Sequence, residues 1–303
     1  MSSPRGGEAS GLLLLLAPGL FLVLWSLAFP VSKLAIAYVD PMLLLVLRYA
    51  LVLAVLLPLL LFMSPAWPTT RAQWGHQAVV GVLIQTVYFG LCYTAFGLGA
   101  SAGTVALVVC LQPVVVAVAS PWLVGEHQGA RSWCGLVLGL AGAVIVIWSK
   151  NDLSSSSLWA ILCAVGALAG MSGATLYEKR FGVAQHPVVS NTIQYGVGLI
   201  TALPLALAFG HLEFEANAVS LGALAYLVLG SSLVAVSLLL MMVRRGEAAR
   251  VSSLFYLVPP VAALMAWWMI DEPMPSLAWV GMAVAAVGVA LVRPPRRTLA
   301  RRA

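Results

Sequence analysis

The chain has 303 residues, of which 62% are apolar and 9% charged, with a formal net charge of +6. Soluble domains run at roughly 45–50% apolar and about 25% charged, so this composition excludes a soluble domain and implies an integral membrane protein. The basic residues sit beside apolar segments rather than in a patch of their own, which excludes nucleic acid as the reason for the positive charge.

Apolar segments of about 20 residues, the length that crosses a bilayer as a helix, recur between short polar breaks. They cover 11–36, 42–63, 75–97, 101–124, 131–149, 158–181, 188–209, 217–243, 248–270 and 276–293. Transmembrane strands would be about 10 residues long and alternating, so the expected fold class is an all-α integral membrane protein with ten transmembrane helices. Leu12 to Ala28, behind Arg5, has the form of a signal peptide, but the spans that follow make it a retained first helix. That helix carries Trp25, Phe29 and Ser32 on one stripe, Lys33 one position round, and a kink at Pro30. The rings either face lipid or stack on a solute in a cavity, and Lys33 is a candidate partner for a substrate carboxylate. In the second helix Arg48 lies seven residues past Pro41, about 10 Å along the axis. Carboxylate binding, snorkelling and pairing with Asp40 all remain open for it.

In the third helix Gln85, Tyr88, Phe89 and Cys92 recur at i, i+3, i+4 and i+7, a face that lines a substrate path or bonds to a neighbouring helix. The fourth carries Cys110, Gln112 and Pro113, and the fifth Gly135 and Gly139, a small-residue packing face within one protomer or between two. In the sixth, Gly170, Met171, Ser172 and Gly173 match the G-x-S-G around a rhomboid protease serine, and Glu178, Lys179 and Arg180 end the helix as an inner gate or a solvated terminus. All four histidines, His76, His127, His186 and His211, fall in polar breaks, so no later helix supplies a base for Ser172. The eighth helix offers Ser231 and Ser232. In the ninth, Ser252, Phe255, Tyr256 and Pro259 share a face, a hinge with a polar lining or a static kink. Gly281 and Ala285 in the tenth mirror Gly135 and Gly139. Glu126 and Glu272, each between two helices, suit capping of backbone donors. The four cysteines fall inside apolar segments without metal-ligand spacing and are expected to be packing residues.

The chain is a duplication. A shift of 146 residues, without a gap, lays Pro41, Pro58, Pro113, Glu126, Trp133, Gly135 and Gly142 on Pro187, Pro204, Pro259, Glu272, Trp279, Gly281 and Gly288. It also pairs Ser26 with Ser172, Lys33 with Lys179, Tyr49 with Tyr195 and Gln85 with Ser231. Five helices per copy is an odd number, so the second copy enters from the opposite side and the repeats are inverted, the arrangement of secondary transporters with a site between the halves. The expected organisation is an N-terminal tail at 1–10, repeat 1 at 11–150, repeat 2 at 158–293 and a basic tail at 294–303. With both termini cytoplasmic, the inner flanks hold Arg5, Arg71, Arg131, Lys179, Arg180, Arg244, Arg245, Arg250, Arg293, Arg296, Arg297, Arg301 and Arg302. The outer flanks hold Lys150, and Lys33 near a helix end, with Asp40, Asp152, Glu213, Glu215, Asp271 and Glu272 in the outer breaks, so the basic residues concentrate inside, in keeping with the positive-inside rule.

The stretch from Ala100 to Val146 contains Pro113, then Gly125 and Glu126, then Trp133 and Gly135; residues 246–292 repeat the order around Pro259, Asp271, Glu272, Trp279 and Gly281. With Trp25, Phe29, Pro30 and Lys33 in the first helix and Pro41 and Arg48 in the second, this resembles the EamA module of the drug/metabolite transporter superfamily. The resemblance covers essentially the whole chain. It implies a ten-helix exporter of amino acids, including its aromatic amino acid branch, or of related metabolites, working by alternating access; the Arg-rich, Lys-poor composition points to a bacterial source and hence an inner membrane. There is no GxxxxGK[ST] loop for a nucleotide, and no cofactor, metal or catalytic residue is expected. The proposed cavity lies among helices 1, 3, 4, 6, 8 and 9, with Trp25, Phe29, Lys33, Gln85, Tyr88, Phe89, Ser231, Ser252, Phe255 and Tyr256 toward the substrate. Pro30, Pro113 and Pro259 are the expected hinges. The partners implied are a small-molecule substrate and the bilayer, for a monomer or weak homodimer. A carrier of cationic drugs, sugar nucleotides or phosphorylated metabolites is the alternative. An intramembrane serine hydrolase and a channel are weaker readings.

Overall fold

The computed structural model describes residues 5–125, 129–149, 158–182, 185–238, 242 and 257–291. Its helices are α1 (Arg5–Ala35), α2 (Pro41–Met63), α3 (Arg71–Gly97), α4 (Ala102–Leu123), α5 (Ala130–Ser149), α6 (Leu158–Phe181), α7 (Pro187–Phe209), α8 (Ala218–Leu238), α9 (Val258–Ile270) and α10 (Ser276–Leu291). Seven of these, α1 to α4 and α6 to α8, are long and apolar enough to cross a membrane. Their outward faces confirm the solvent they meet: Phe62 is 88% exposed, Leu61 81% and Ile200 73%, an apolar surface that only lipid accommodates.

Local chemistry sets the ends. Asp40 caps α2 by accepting from the backbone of Met42 at 2.9 Å and Leu43 at 3.0 Å, with Pro41 in the first turn where its missing N–H costs nothing. Thr70 and Gln73 form a capping box at the start of α3, so that helix begins at Arg71, four residues earlier than its apolar run. Asn217 and Ser220 do the same for α8. One helix expected to be continuous is interrupted. α4 breaks at Cys110 and Leu111, between Ala102–Val109 and Gln112–Leu123, because Pro113 cannot donate to the carbonyl a turn before it. α9 is described from Val258, with Pro259 in its first turn; Ser252, Phe255 and Tyr256 lie outside the described residues, as does Glu126. α1, by contrast, runs unbroken through Pro18 and Pro30.

The packing has the symmetry of the sequence. α2 lies against its mate α7, and α5 against its mate α10. α1 packs on α9 and α8, as α6 packs on α4 and α3. The connections sort onto two faces. On one, the Asp40 N–H donates to the Glu213 carbonyl at 2.9 Å, the Glu215 N–H to the Tyr38 carbonyl at 2.8 Å, and Lys33 meets Glu272. On the other, Gln185 donates to the Ala66 carbonyl and Arg180 to the Leu123 carbonyl. α1 therefore ends on the first face and its mate α6 on the second, which is the inversion that an odd helix number demands. These faces are called outer and inner, after the orientation given by the basic residues.

The α5–α10 seam brings backbones into contact. A methyl group on Gly142 would stand 2.3 Å from the Ala285 nitrogen and 2.5 Å from the Gly281 carbonyl oxygen. One on Gly288 would stand 2.3 Å from the Gly139 nitrogen and 2.7 Å from the Gly135 carbonyl oxygen. The small-residue faces therefore close on each other within one protomer, with Gly142 and Gly288 at the points of nearest approach.

Candidate functional site

Two stretches of wider, π-type helical turn, Val82–Tyr88 in α3 and Tyr226–Ala235 in α8, occupy equivalent positions in the two repeats. Such turns re-aim side chains and recur at functional sites. Each brings its polar residue, Gln85 or Ser231, to a central cavity of about 200 Å³. Gly198 of α7 admits this geometry, since a methyl there would lie 2.6 Å from the Gln85 Cβ and 3.1 Å from the Tyr49 ring.

One side of the cavity wall is rich in aromatic rings. α1 supplies Trp25, Phe29 and Ser32, and α3 supplies Gln85, Tyr88, Phe89, Cys92, Tyr93 and Phe96. The rings form a chain, with Tyr88 and Phe89 centroids 4.6 Å apart and Phe89 and Tyr93 6.4 Å apart. The other wall comes from Met171 of α6, Asn191, Gln194 and Tyr195 of α7 and Ser231 of α8. Three of the lining pairs are repeat mates: Trp25 with Met171, Arg48 with Gln194, and Gln85 with Ser231. Tyr49, mate of Tyr195, stacks obliquely on it at 5.6 Å and donates its hydroxyl to the Gln85 carbonyl at 2.5 Å.

Among the described residues the single cation on the wall is Arg48, 2% exposed. Its Nε donates to Ser232 Oγ at 3.0 Å and one terminal nitrogen to the Tyr93 hydroxyl at 3.1 Å, while the guanidinium lies 4.5 Å over the Phe89 ring. Ser32 Oγ also donates to the Tyr93 hydroxyl, at 3.0 Å. Asp40, considered as its partner, is occupied in capping α2 and in accepting from the His211 N–H.

The sequence-derived candidates therefore divide. Trp25, Phe29, Gln85, Tyr88, Phe89 and Ser231 line one cavity. Lys33 does not: its Nζ donates to Glu272 Oε1 at 2.8 Å and to the Ala100 carbonyl at 2.9 Å, at the outer end. Glu272 also accepts from the Ala102 N–H at 3.0 Å and the Gly103 N–H at 3.4 Å, so one carboxylate caps α4 and neutralises α1. α4, expected to line the cavity, is engaged elsewhere, its Gln112 amide donating to Thr175 of α6 at 2.7 Å. α2 and α7 take its place through Arg48, Asn191, Gln194 and Tyr195. The signal for these residues was the 146-residue offset, which sets Arg48 against Gln194 and Tyr49 against Tyr195. Ser172 Oγ is buried without a hydrogen-bond partner among the described residues, so nothing there activates it as a nucleophile. No group of three His, Cys, Asp or Glu side chains among the described residues could hold a metal.

The sequence profile of the EamA-like transporter family matches residues 9–148 and 158–293. A probable terminal-alkyne amino-acid exporter of Streptantibioticus cattleyicolor is 30% identical over 66% of this chain and 66% of its own length. A probable amino-acid metabolite efflux pump of Escherichia coli K12 is 24% identical over 89% of this chain and 91% of its own. The inner membrane transporter YedA of the same organism is 24% identical over 89% and 87%. A crystal structure of a protein 20% identical in sequence superposes with a TM-score of 0.64 over 91% of this chain and 96% of that one, a likeness of fold.

Proposed function

The chain belongs to the EamA-like transporter family, and from that premise we propose that it exports amino acids, aromatic ones included, or closely related small metabolites across a bacterial inner membrane by alternating access. The observation that carries this reading is the cavity, rich in aromatic rings on one side, at the junction of the two inverted repeats, to which both repeats contribute equivalent positions. A site at that place is reachable from either side by rocking one repeat against the other. The break in α4 at Pro113, with Pro259 at the equivalent place in α9, supplies flexible points, and Pro30 supplies a third within α1. Rings such as Phe29 and Tyr88 bury an apolar side chain, while the few polar groups orient the solute. The names of the Streptantibioticus and E. coli relatives support an amino-acid cargo.

Phosphorylated cargo is less well served. Phosphate recognition uses several convergent cations, whereas Arg48 stands alone on the described wall and Lys33 is neutralised by Glu272. The test is counterflow in proteoliposomes loaded with labelled phenylalanine, with unlabelled aromatic, aliphatic and charged amino acids as competitors, in the presence and absence of a pH gradient. Saturable exchange led by aromatic or large apolar amino acids is the expected result. Absence of amino-acid flux under every gradient would discard this cargo.

A further inference from the structure

We propose that Arg48 is the anchor for the carboxylate of the transported solute and that the Gln85 side-chain oxygen receives its ammonium group, so that the cavity selects α-amino acid zwitterions. The inference rests on the transporter reading and specifies its ligand chemistry.

A guanidinium in the interior of a membrane protein is costly unless a counter-charge accompanies it. Among the described residues no carboxylate lies within ion-pair distance of Arg48; the ion pair they contain is Lys33–Glu272, at the outer end. Arg48 is instead held by neutral groups. Ser232 fixes Nε, Tyr93 fixes one terminal nitrogen, and the Phe89 ring supports the plane from one face. These contacts set the orientation of the fork and, among the described residues, supply no counter-charge. Arginine carries five N–H donors in a planar array that matches a carboxylate, and the described protein acceptors take two of them. A solute carboxylate entering the cavity would meet a pre-oriented cation in a low-dielectric setting, where a charge-assisted hydrogen bond is strongest.

Gln85 supplies an independent observation. It is 4% exposed, lines the same cavity, and its Oε1 has no hydrogen-bond partner among the described residues. A buried acceptor left without a donor costs as much as a lost hydrogen bond; among the described residues Gln85 Oε1 meets none, and an ammonium N–H would fill it. The Tyr49 hydroxyl, one residue from Arg48, holds the Gln85 backbone, so the two polar groups are carried by segments of α2 and α3 that are locked together. The rings of Trp25, Phe29, Tyr88, Phe89 and Phe96 on the α1–α3 side of the same cavity receive the side chain. A decarboxylated amine would place its charge beside Arg48 without an anion between them, and that disfavours cationic drugs.

The test uses the full-length protein in proteoliposomes, with labelled phenylalanine and three competitors: phenylalanine itself, phenylpropionate and phenethylamine. The expected order is phenylalanine, then phenylpropionate, then phenethylamine, with the amine roughly tenfold or more weaker than phenylalanine. Arg48→Gln should lose roughly tenfold or more in phenylalanine affinity, Arg48→Lys should restore part of it, and Gln85→Leu should weaken phenylalanine but not phenylpropionate. The wild-type competitor series needs no variant, so it stands even if a substitution impairs folding. Phenethylamine competing as well as phenylalanine, or an unchanged affinity in Arg48→Gln, would overturn the anchor while leaving amino-acid export intact. Transport of phenethylamine with no flux of any amino acid would overturn both.

Discussion

The two repeats meet in two regions built on opposite plans. Along the α5–α10 seam, equivalent positions present equivalent surfaces: Gly142 presses on the Ala285 and Gly281 backbone, and Gly288 presses on that of Gly139 and Gly135. Around the cavity, equivalent positions differ, with Arg48 set against Gln194, Trp25 against Met171 and Gln85 against Ser231. The difference has a physical basis. Two helices that must pack on each other can do so symmetrically, and small residues maximise their van der Waals contact in lipid. On the proposed function, a single solute with a charged end and an apolar end cannot make the same contacts with both walls, which accounts for walls that diverge while their backbones keep the symmetry.

The largest effect that would break this contrast is at the seam. Gly142→Leu places atoms where backbone already stands 2.3 Å from the first added carbon, and overpacking of this kind costs about 1–3 kcal/mol or more. Thermal unfolding in detergent should show a marked loss of stability for Gly142→Leu and for Gly288→Leu. Gly222→Ala, which meets nothing within 4 Å, should unfold like the parent. Equal melting temperatures across the three would mean that the seam is not held by close approach.

Next comes the outer end, where Glu272 serves two helices at once. Glu272→Ala strands Lys33 and the first donors of α4 together, an expected cost of about 3 kcal/mol. Lys33→Ala leaves the cap in place and should cost less. Chemical denaturation of the two single variants and the double variant measures this directly, and equal losses from the two single changes would remove the capping role. Both variants act on stability at a distance from the solute, so they separate the latch from the cavity wall.

The cavity variants should show the reverse pattern. Tyr88→Ala and Trp25→Ala remove ring surface that faces the cavity, and stacked aromatic contact is worth about 0.5–1.5 kcal/mol beyond its area. Phenylalanine exchange should fall several-fold to tenfold, with a smaller change for alanine, whose side chain cannot use the rings. A uniform loss for both amino acids would point to a general packing role.

Much of this was legible in the sequence because the informative residues are those whose backbone chemistry is special. Prolines, glycines and tryptophans in register at one offset gave the duplication, and the odd helix count gave the inversion. The spacing of Gln85, Tyr88 and Phe89 gave one cavity wall. Arg48 was ambiguous because its partners, Ser232 and Tyr93, lie 184 and 45 residues away, and no periodicity links them. Lys33 pointed the wrong way for a similar reason: Glu272 is 239 residues distant and reaches it through the packing of α1 on α9. The π-type turns left no mark in residue type, and α7 entered the cavity wall through Asn191, Gln194 and Tyr195, polar residues that composition does not distinguish from interhelical packing.

The smallest effect is the most discriminating, because it falls where α2 and α7 join seam-like packing to the cavity wall. Tyr49 and Tyr195 are repeat mates and stack on each other, yet only Tyr49 has a described hydroxyl partner, the Gln85 carbonyl. Tyr49→Phe keeps the ring contact and removes one buried hydrogen bond, an expected loss of about 1 kcal/mol. Tyr195→Phe removes none that is described and should be close to silent in a melt. If the Tyr49 hydroxyl matters only for packing, phenylalanine exchange in Tyr49→Phe stays at the parental level once expression is matched. If it holds the π-type turn of α3 so that Gln85 faces the solute, exchange falls by more than the stability loss accounts for, and the pair of mates behaves as the cavity does rather than as the seam.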